Sequence, residues 1–201
     1  MLDLHVIAVT FAAIFLVELP DKTFIAALVL STRYKAFAVW VGVGLAFLVQ
    51  TVVAVTAGAL ASLLPEALIK SVAIAIFAIG AVILIRTAPG ADAEEKEQEE
   101  QYAARAVEAR TGIKAVTASF LVLFAAEWGD LSQLLTISLV ARYDDHVNVF
   151  LGAWGALLVV SGLAVIAGRV LLRYMKLSVL HYLGGAVCAI LAVATLVELL
   201  T

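Results

Sequence analysis

The chain is short of almost everything a soluble domain uses to meet water. Only 14% of its 201 residues are charged. No segment carries the sustained polar face that a surface helix needs, which argues against a soluble helical core. The apolar runs are solid rather than alternating, which excludes a membrane β-barrel. Cysteine is nearly absent: the single Cys188 permits no internal disulfide and says nothing about compartment. Three histidines, at positions 5, 146 and 181, sit apart from any acidic motif, so zinc and copper chemistry is disfavoured. An Arg/His/Ser cluster able to hold a phosphate at a membrane face is also missing, which disfavours an intramembrane phosphatase. The opening "MLDLHV" lacks the positive segment of a conventional signal peptide. Nucleic acid has no basic patch to bind.

What remains is grease. Hydrophobic residues make up 64% of the chain, and the mean hydropathy is +1.10. Runs long enough to cross a bilayer recur. The expected fold is an all-α integral membrane protein with six transmembrane helices, at about 4–30, 36–64, 66–87, 114–140, 146–173 and 176–200. With six spans, the loops after the first, third and fifth share one side. That side holds ten of the thirteen Lys and Arg residues; Lys70 and Arg142 lie on the other, and Lys22 is inside span one. The positive-inside bias makes the ten-cation side cytoplasmic, places both termini outside, and suits a bacterial-type plasma (inner) membrane. The one polar stretch, 88–113, opens with Pro89-Gly90 and contains "ADAEEKEQEEQYAARAVEAR". It reads as a solvated, partly helical cytoplasmic linker between a first three-helix repeat, 1–87, and a second, 114–201.

Charge inside the apolar runs marks the chemistry. "ELPDKTFIAALVLSTRY" (18–34) and "EWGDLSQLLTISLVARY" (127–143) align at an offset of 109, matching Glu18 with Glu127, Asp21 with Asp130, Thr23 with Ser132, and Arg33-Tyr34 with Arg142-Tyr143. An offset of 110 then matches Gly42 with Gly152 and Thr51 with Ser161. Three spans per half is odd, so the second half enters the membrane inverted, the design of many secondary transporters. Each Glu and Asp are three residues apart, on one helix face, with a helix disrupter between them, Pro20 or Gly129. Inversion brings the two motifs together near the midplane.

Four carboxylates offer hard oxygen ligands, which select manganese, calcium or magnesium. The expected metal ligands are Glu18, Asp21, Glu127 and Asp130. Thr23, Ser132 and Gln133 can support them, and Gln50, Thr51 and Ser161 stand as outer hydrogen-bonding groups or as ordinary interhelical bonds. In a dry site, four ionised carboxylates demand counter-charge, from a divalent cation or from protons. Binding either in turn is the minimal machine for cation/proton exchange. Lys22 is a candidate counter-charge for the empty site or one half of a structural ion pair.

These motifs resemble the paired Glu-x-Gly-Asp-Lys/Arg-Thr/Ser motifs of the transmembrane protein 165, or Gdt, family. The resemblance covers the chain's whole architecture and implies a six-span, two-repeat manganese or calcium exchanger coupled to protons. It assigns the cation site to Glu18, Asp21, Glu127 and Asp130, supported by Thr23, Ser132 and Gln133. Two positions depart from the pattern: Pro20 replaces a Gly, and Leu131 replaces a basic residue. The expected function is therefore a proton-coupled exporter of Mn2+ or Ca2+, not an enzyme, with no resident cofactor and with the cation and the lipid bilayer as its partners. The alternative is a three-plus-three exporter of amino acids or other small organic solutes. Gly152-Ala-Trp-Gly155 and Gly184-Gly185 permit close helix contacts, within one chain or in a homo-oligomer.

Overall fold

A computed structural model describes residues 2–19, 21–105, 111–174 and 177–200, excepting the side chains of Lys22, Glu66, Asp92, Glu95, Lys96, Arg105 and those of 168–174 and 177. Among these residues all regular structure is helical. The α-helices are α1 (Leu4–Glu18), α2 (Lys22–Arg33), α3 (Ala36–Ala61), α4 (Glu66–Thr87), α5 (Ala91–Arg105), α6 (Ile113–Ala126), α7 (Leu131–Tyr143), α8 (His146–Tyr174) and α9 (Leu177–Leu200).

Four helices are long and apolar enough to cross a membrane, over Ala36–Ala61, Ala67–Gly90, His146–Ala167 and Ser178–Leu200. At 26 residues, α3 is about 39 Å long, against roughly 30 Å of hydrocarbon. The other two expected spans, 4–30 and 114–140, are not continuous helices. Each is a pair of short helices, α1 with α2 and α6 with α7, bent by 70° and 73°. The count is six if each bent pair is one span. The physical reason is visible in the second pair, where Gly129 takes φ +79, a left-handed conformation open to glycine at little cost.

The chain is apolar outside as well as inside. Leu45 and Val52 on α3, Ile79 and Ile83 on α4, and Val193 and Val197 on α9 are exposed, a surface that suits lipid rather than water. The short second arms lie in the middle. Every residue from Thr23 to Leu30 of α2 is buried, as are Leu135, Leu139 and Val140 of α7.

Glycines let the helices approach. A Cβ on Gly42 would lie 2.4 Å from the Val116 carbonyl oxygen and 2.9 Å from Ser119 Cβ. A Cβ on Gly152 would lie 2.7 Å from the Ile7 carbonyl oxygen and 2.8 Å from Thr10 Cβ. Val116 and Ser119 follow Ile7 and Thr10 by the same 109 residues, so α3 meets α6 as α8 meets α1. Gly184 packs against the Leu16 carbonyl and Gly185 against Ile85. Because the obstacles are backbone, Gly42→Ala and Gly152→Ala are each expected to cost about 1–3 kcal/mol, Gly42→Ala the more. Thermal unfolding of the detergent-solubilised protein checks this against Gly90→Ala, whose Cβ would meet nothing within 4 Å.

The linker departs from expectation. Its helix α5 is docked rather than wholly solvated, against α2 and α9, with Ala91 and Tyr102 buried. Ala91, Glu94, Gln98 and Tyr102 fall at helical spacing on one side of α5, with Ala91 and Tyr102 buried, Gln98 half-buried and Glu94 exposed.

Candidate metal centre

The two breaks build the site. Glu18 is the last residue of α1, and Asp21 immediately precedes α2. Glu127 is the C-cap of α6, and Asp130 the N-cap of α7. Each motif therefore spends its Glu where one helix ends and its Asp where the next begins. One oxygen from each of Glu18, Asp21, Glu127 and Asp130 lies within 4.8 Å of the other three. The expected convergence of the four acids is what the structure places together.

Burial divides them. Glu18 and Glu127 are 0% and 1% exposed; Asp21 and Asp130 are half-buried. Both oxygens of Glu18 and both of Glu127 have no hydrogen-bond partner. Buried carboxylates without partners are expensive and call for an explanation.

Asp130 is held from both sides. Its Oδ1 accepts from the Gln133 backbone N–H at 3.0 Å, and its Oδ2 from the Ser132 hydroxyl at 3.0 Å. The first bond satisfies one of the donors left over at the start of α7. Ser132 and Thr23 both flank the Glu18 carboxylate, and Thr23 is buried with its hydroxyl unpartnered. Gln133 serves the break itself rather than the cluster. Its side-chain oxygen accepts from Gly129 N–H at 3.1 Å, and its amide donates to the Glu127 carbonyl at 3.2 Å. The first break is closed differently, by Asp21 N–H donating to the Glu18 carbonyl at 3.0 Å.

The outer candidates separate. Gln50 donates to the Phe124 carbonyl at 3.2 Å, in the last turn of α6, where carbonyls lack helical donors. Ser161 donates to the Leu158 carbonyl at 3.1 Å, an ordinary bond within α8. Thr51 is buried with an unpartnered hydroxyl. The Lys22 side chain and Pro20 lie outside the described residues.

Sequence reasoning missed the approach to the site. Asp21 and Asp130 line a cavity of about 270 Å3 whose walls include Thr87, Glu94, Gln98 and His181. The signal was present in the linker: Ala91 and Tyr102 bracket Glu94 and Gln98 on one face. It also missed Thr10 and Ser119, equivalent buried hydroxyls without partners; their shared offset of 109 marked them as a pair.

Known proteins carry the same two-part pattern. The family model described as divalent cation/proton antiporter GDT1 matches residues 6–92 and again 115–201. GDT1-like protein sll0615 of Synechocystis is 31% identical over 188 residues, 89% of this chain and 90% of its own. The chloroplastic protein PAM71 of Arabidopsis thaliana is 28% identical over 96% of this chain, and its chloroplastic homolog in the same plant 30% over 92%. This chain spans 57% of the length of either plant relative. No solved structure matches it. With both halves matched, and with bent apolar helices meeting at four acids, the chain belongs to the GDT1 family of divalent cation/proton antiporters, membrane transporters rather than enzymes.

Proposed function

We propose that this chain exports a divalent cation from the cytosol in exchange for protons, with Mn2+ the first candidate and Ca2+ close behind. Glu18, Asp21, Glu127 and Asp130 hold the metal; Thr23 and Ser132 support it, and Gln133 holds the second break in shape. The observation that carries this reading is the four-carboxylate cluster, drawn from two equivalent breaks, with both glutamates buried and unpartnered. Such groups need a cation or protons, and they take one at the expense of the other. The four oxygens, within 4.8 Å of one another, form the all-oxygen donor set that hard divalent cations take. Metal and protons are cargo here, and no resident cofactor is required.

The architecture proposed with it is two inverted repeats, 1–87 and 114–201, joined by the linker 88–113. Matched contacts support it. Trp154 donates to the Gly44 carbonyl at 3.1 Å, its own counterpart at offset 110. Stacked Phe11–Phe15 and Phe120–Phe124 pairs repeat at offset 109. The cation bias places the linker in the cytoplasm of a cell bounded by a plasma membrane, with both termini outside. A tag at Thr201 is expected to be labelled on intact cells, and a cysteine at Glu97 only after permeabilisation. Outside labelling at Glu97 would reverse the orientation.

Purified protein in liposomes loaded with a pH-sensitive dye tests the function. Addition of Mn2+ or Ca2+ should move protons in the opposite direction, and Mg2+ should do so weakly. Metal flux that proceeds with no proton movement would turn the proposal into a passive channel.

A further inference from the structure

The two halves, so alike in their breaks, differ in what lies beside the second arm. Helix α7 runs along α4, with Leu131 against Gly80 and Ile137 and Ala141 among Ile69, Val72 and Ala73. The equivalent neighbour of α2 is α9. Among the described residues α2 makes no comparable contact with α9; α5 stands against it instead. Where the contact is missing, the cavity of about 270 Å3 opens. Asp21 and Asp130 form its floor, Glu94 and Gln98 of α5 one wall, and His181 of α9 and Thr87 of α4 the others. The aspartates join the cavity to the cluster, whose oxygens lie within 4.8 Å of one another and include the unpartnered ones of Glu18 and Glu127.

The side of Arg142 and Lys70 differs. A cavity there is lined by Ser62, Lys70, Arg142 and Asp144 and includes none of the four acids. Two of its lining residues, Arg142 of α7 and Lys70 of α4, are tied to α9. Arg142 donates to Thr195 at 2.9 Å and pairs with Glu198, and Lys70 donates to the Glu198 carbonyl at 3.2 Å.

We infer that the docked linker helix forms the entrance for the cation, with Glu94 as the residue that concentrates it above the site. This rests on the cation-exchange reading above. An acidic residue on an exposed helix is ordinarily just solvated. Glu94, itself exposed like Glu100, is set apart by its place: it lies in line with buried Ala91 and Tyr102 and on the wall of the cavity that ends at the aspartates. A single negative charge at the mouth of a low-dielectric cleft raises the local concentration of a divalent cation and speeds its capture. It binds nothing tightly and leaves the exchange step to the four acids. The role is therefore one of positioning and selectivity, acting on metal arriving from the linker side.

The test is metal-driven proton movement in everted and in right-side-out membrane vesicles, with Mn2+ as the probe. Glu94→Gln should raise the half-saturating Mn2+ concentration about threefold or more from the linker face alone, with little change in maximal rate. The difference should shrink as ionic strength rises. Gln98→Glu, which adds a charge to the same wall, should lower the half-saturating concentration. Glu100→Gln, on the exposed face of α5, should change nothing. An unchanged half-saturating concentration for Glu94→Gln from both faces, or an equal rise from both, would overturn the inference. Failure of the wild-type protein to exchange Mn2+ for protons would overturn the proposed function instead.

Discussion

Glu18→Gln and Glu127→Gln should each reduce metal-driven proton movement by at least about a hundredfold, while the metal-free protein keeps or gains thermal stability. The two expectations have one cause. Each glutamate is buried with both oxygens unpartnered, and one of its oxygens lies within 4.8 Å of three other carboxylates, like charges that repel when the site is empty and ionised. An amide of the same shape removes that repulsion, so the empty fold loses little. It also removes a formal ligand charge and the ability to exchange a proton. A residue held for structure alone would behave in the opposite way, because truncating a satisfied buried group destabilises. Asp21→Asn and Asp130→Asn should likewise stop exchange. For Asp130 the fold is protected, because asparagine caps a helix about as well as aspartate, and α7 can keep its bond from Gln133. Proton flux in liposomes and thermal unfolding of the same preparations give the two readouts. Near-wild-type exchange by the double variant Glu18→Gln/Asp21→Asn would remove the shared site, whatever the stability.

The parts of this molecule that could be read from the sequence are those fixed by cost. An acid in an apolar run is expensive, so Glu18, Asp21, Glu127 and Asp130 stood out, and their offset of 109 tied them together before any geometry was known. Apolar length marked the four long helices and the two bent pairs for the same reason. The breaks were legible only in kind. Proline and glycine both weaken a helix, but a bend of 73° depends on Gly129 reaching φ +79 and on how the freed backbone groups are satisfied. That last point hid what Gln133 does at the break, where its side-chain oxygen accepts from Gly129 N–H and its amide donates to the Glu127 carbonyl. Helix α5 hid for a different reason. Averaged over the linker, its charge looks solvated; Ala91, Glu94, Gln98 and Tyr102 form a face only when the helix is drawn as one. Gly42 and Gly152 were matched in sequence, but their purpose needed the partner carbonyls of Val116 and Ile7.

Acid should weaken metal binding steeply. If the four carboxylates hold either the cation or protons, every proton that leaves on binding contributes about a factor of ten in apparent affinity per pH unit. Displacing two would give roughly a hundredfold loss for each unit of acidification across the range in which they titrate. The sign follows from competition: lowering pH fills the site with protons, and the metal must then expel them. Calorimetry on the detergent-purified protein between about pH 7.5 and about pH 5.5 should show Mn2+ affinity falling as protons compete for the same oxygens. The heat should also depend on the ionisation enthalpy of the buffer, and the slope of that dependence counts the protons released. Asp130→Asn removes one ligand charge without deleting the α7 cap, so its affinity should be lower at neutral pH. The half-buried aspartates face the cavity and the buried glutamates lie beyond them, so protons leaving the cluster have a polar route past Glu94 and Gln98. Affinity independent of pH, with no buffer dependence of the heat, would leave four acids able to hold a metal but would disconnect it from the proton. Transport would then have to draw its energy from the metal gradient alone.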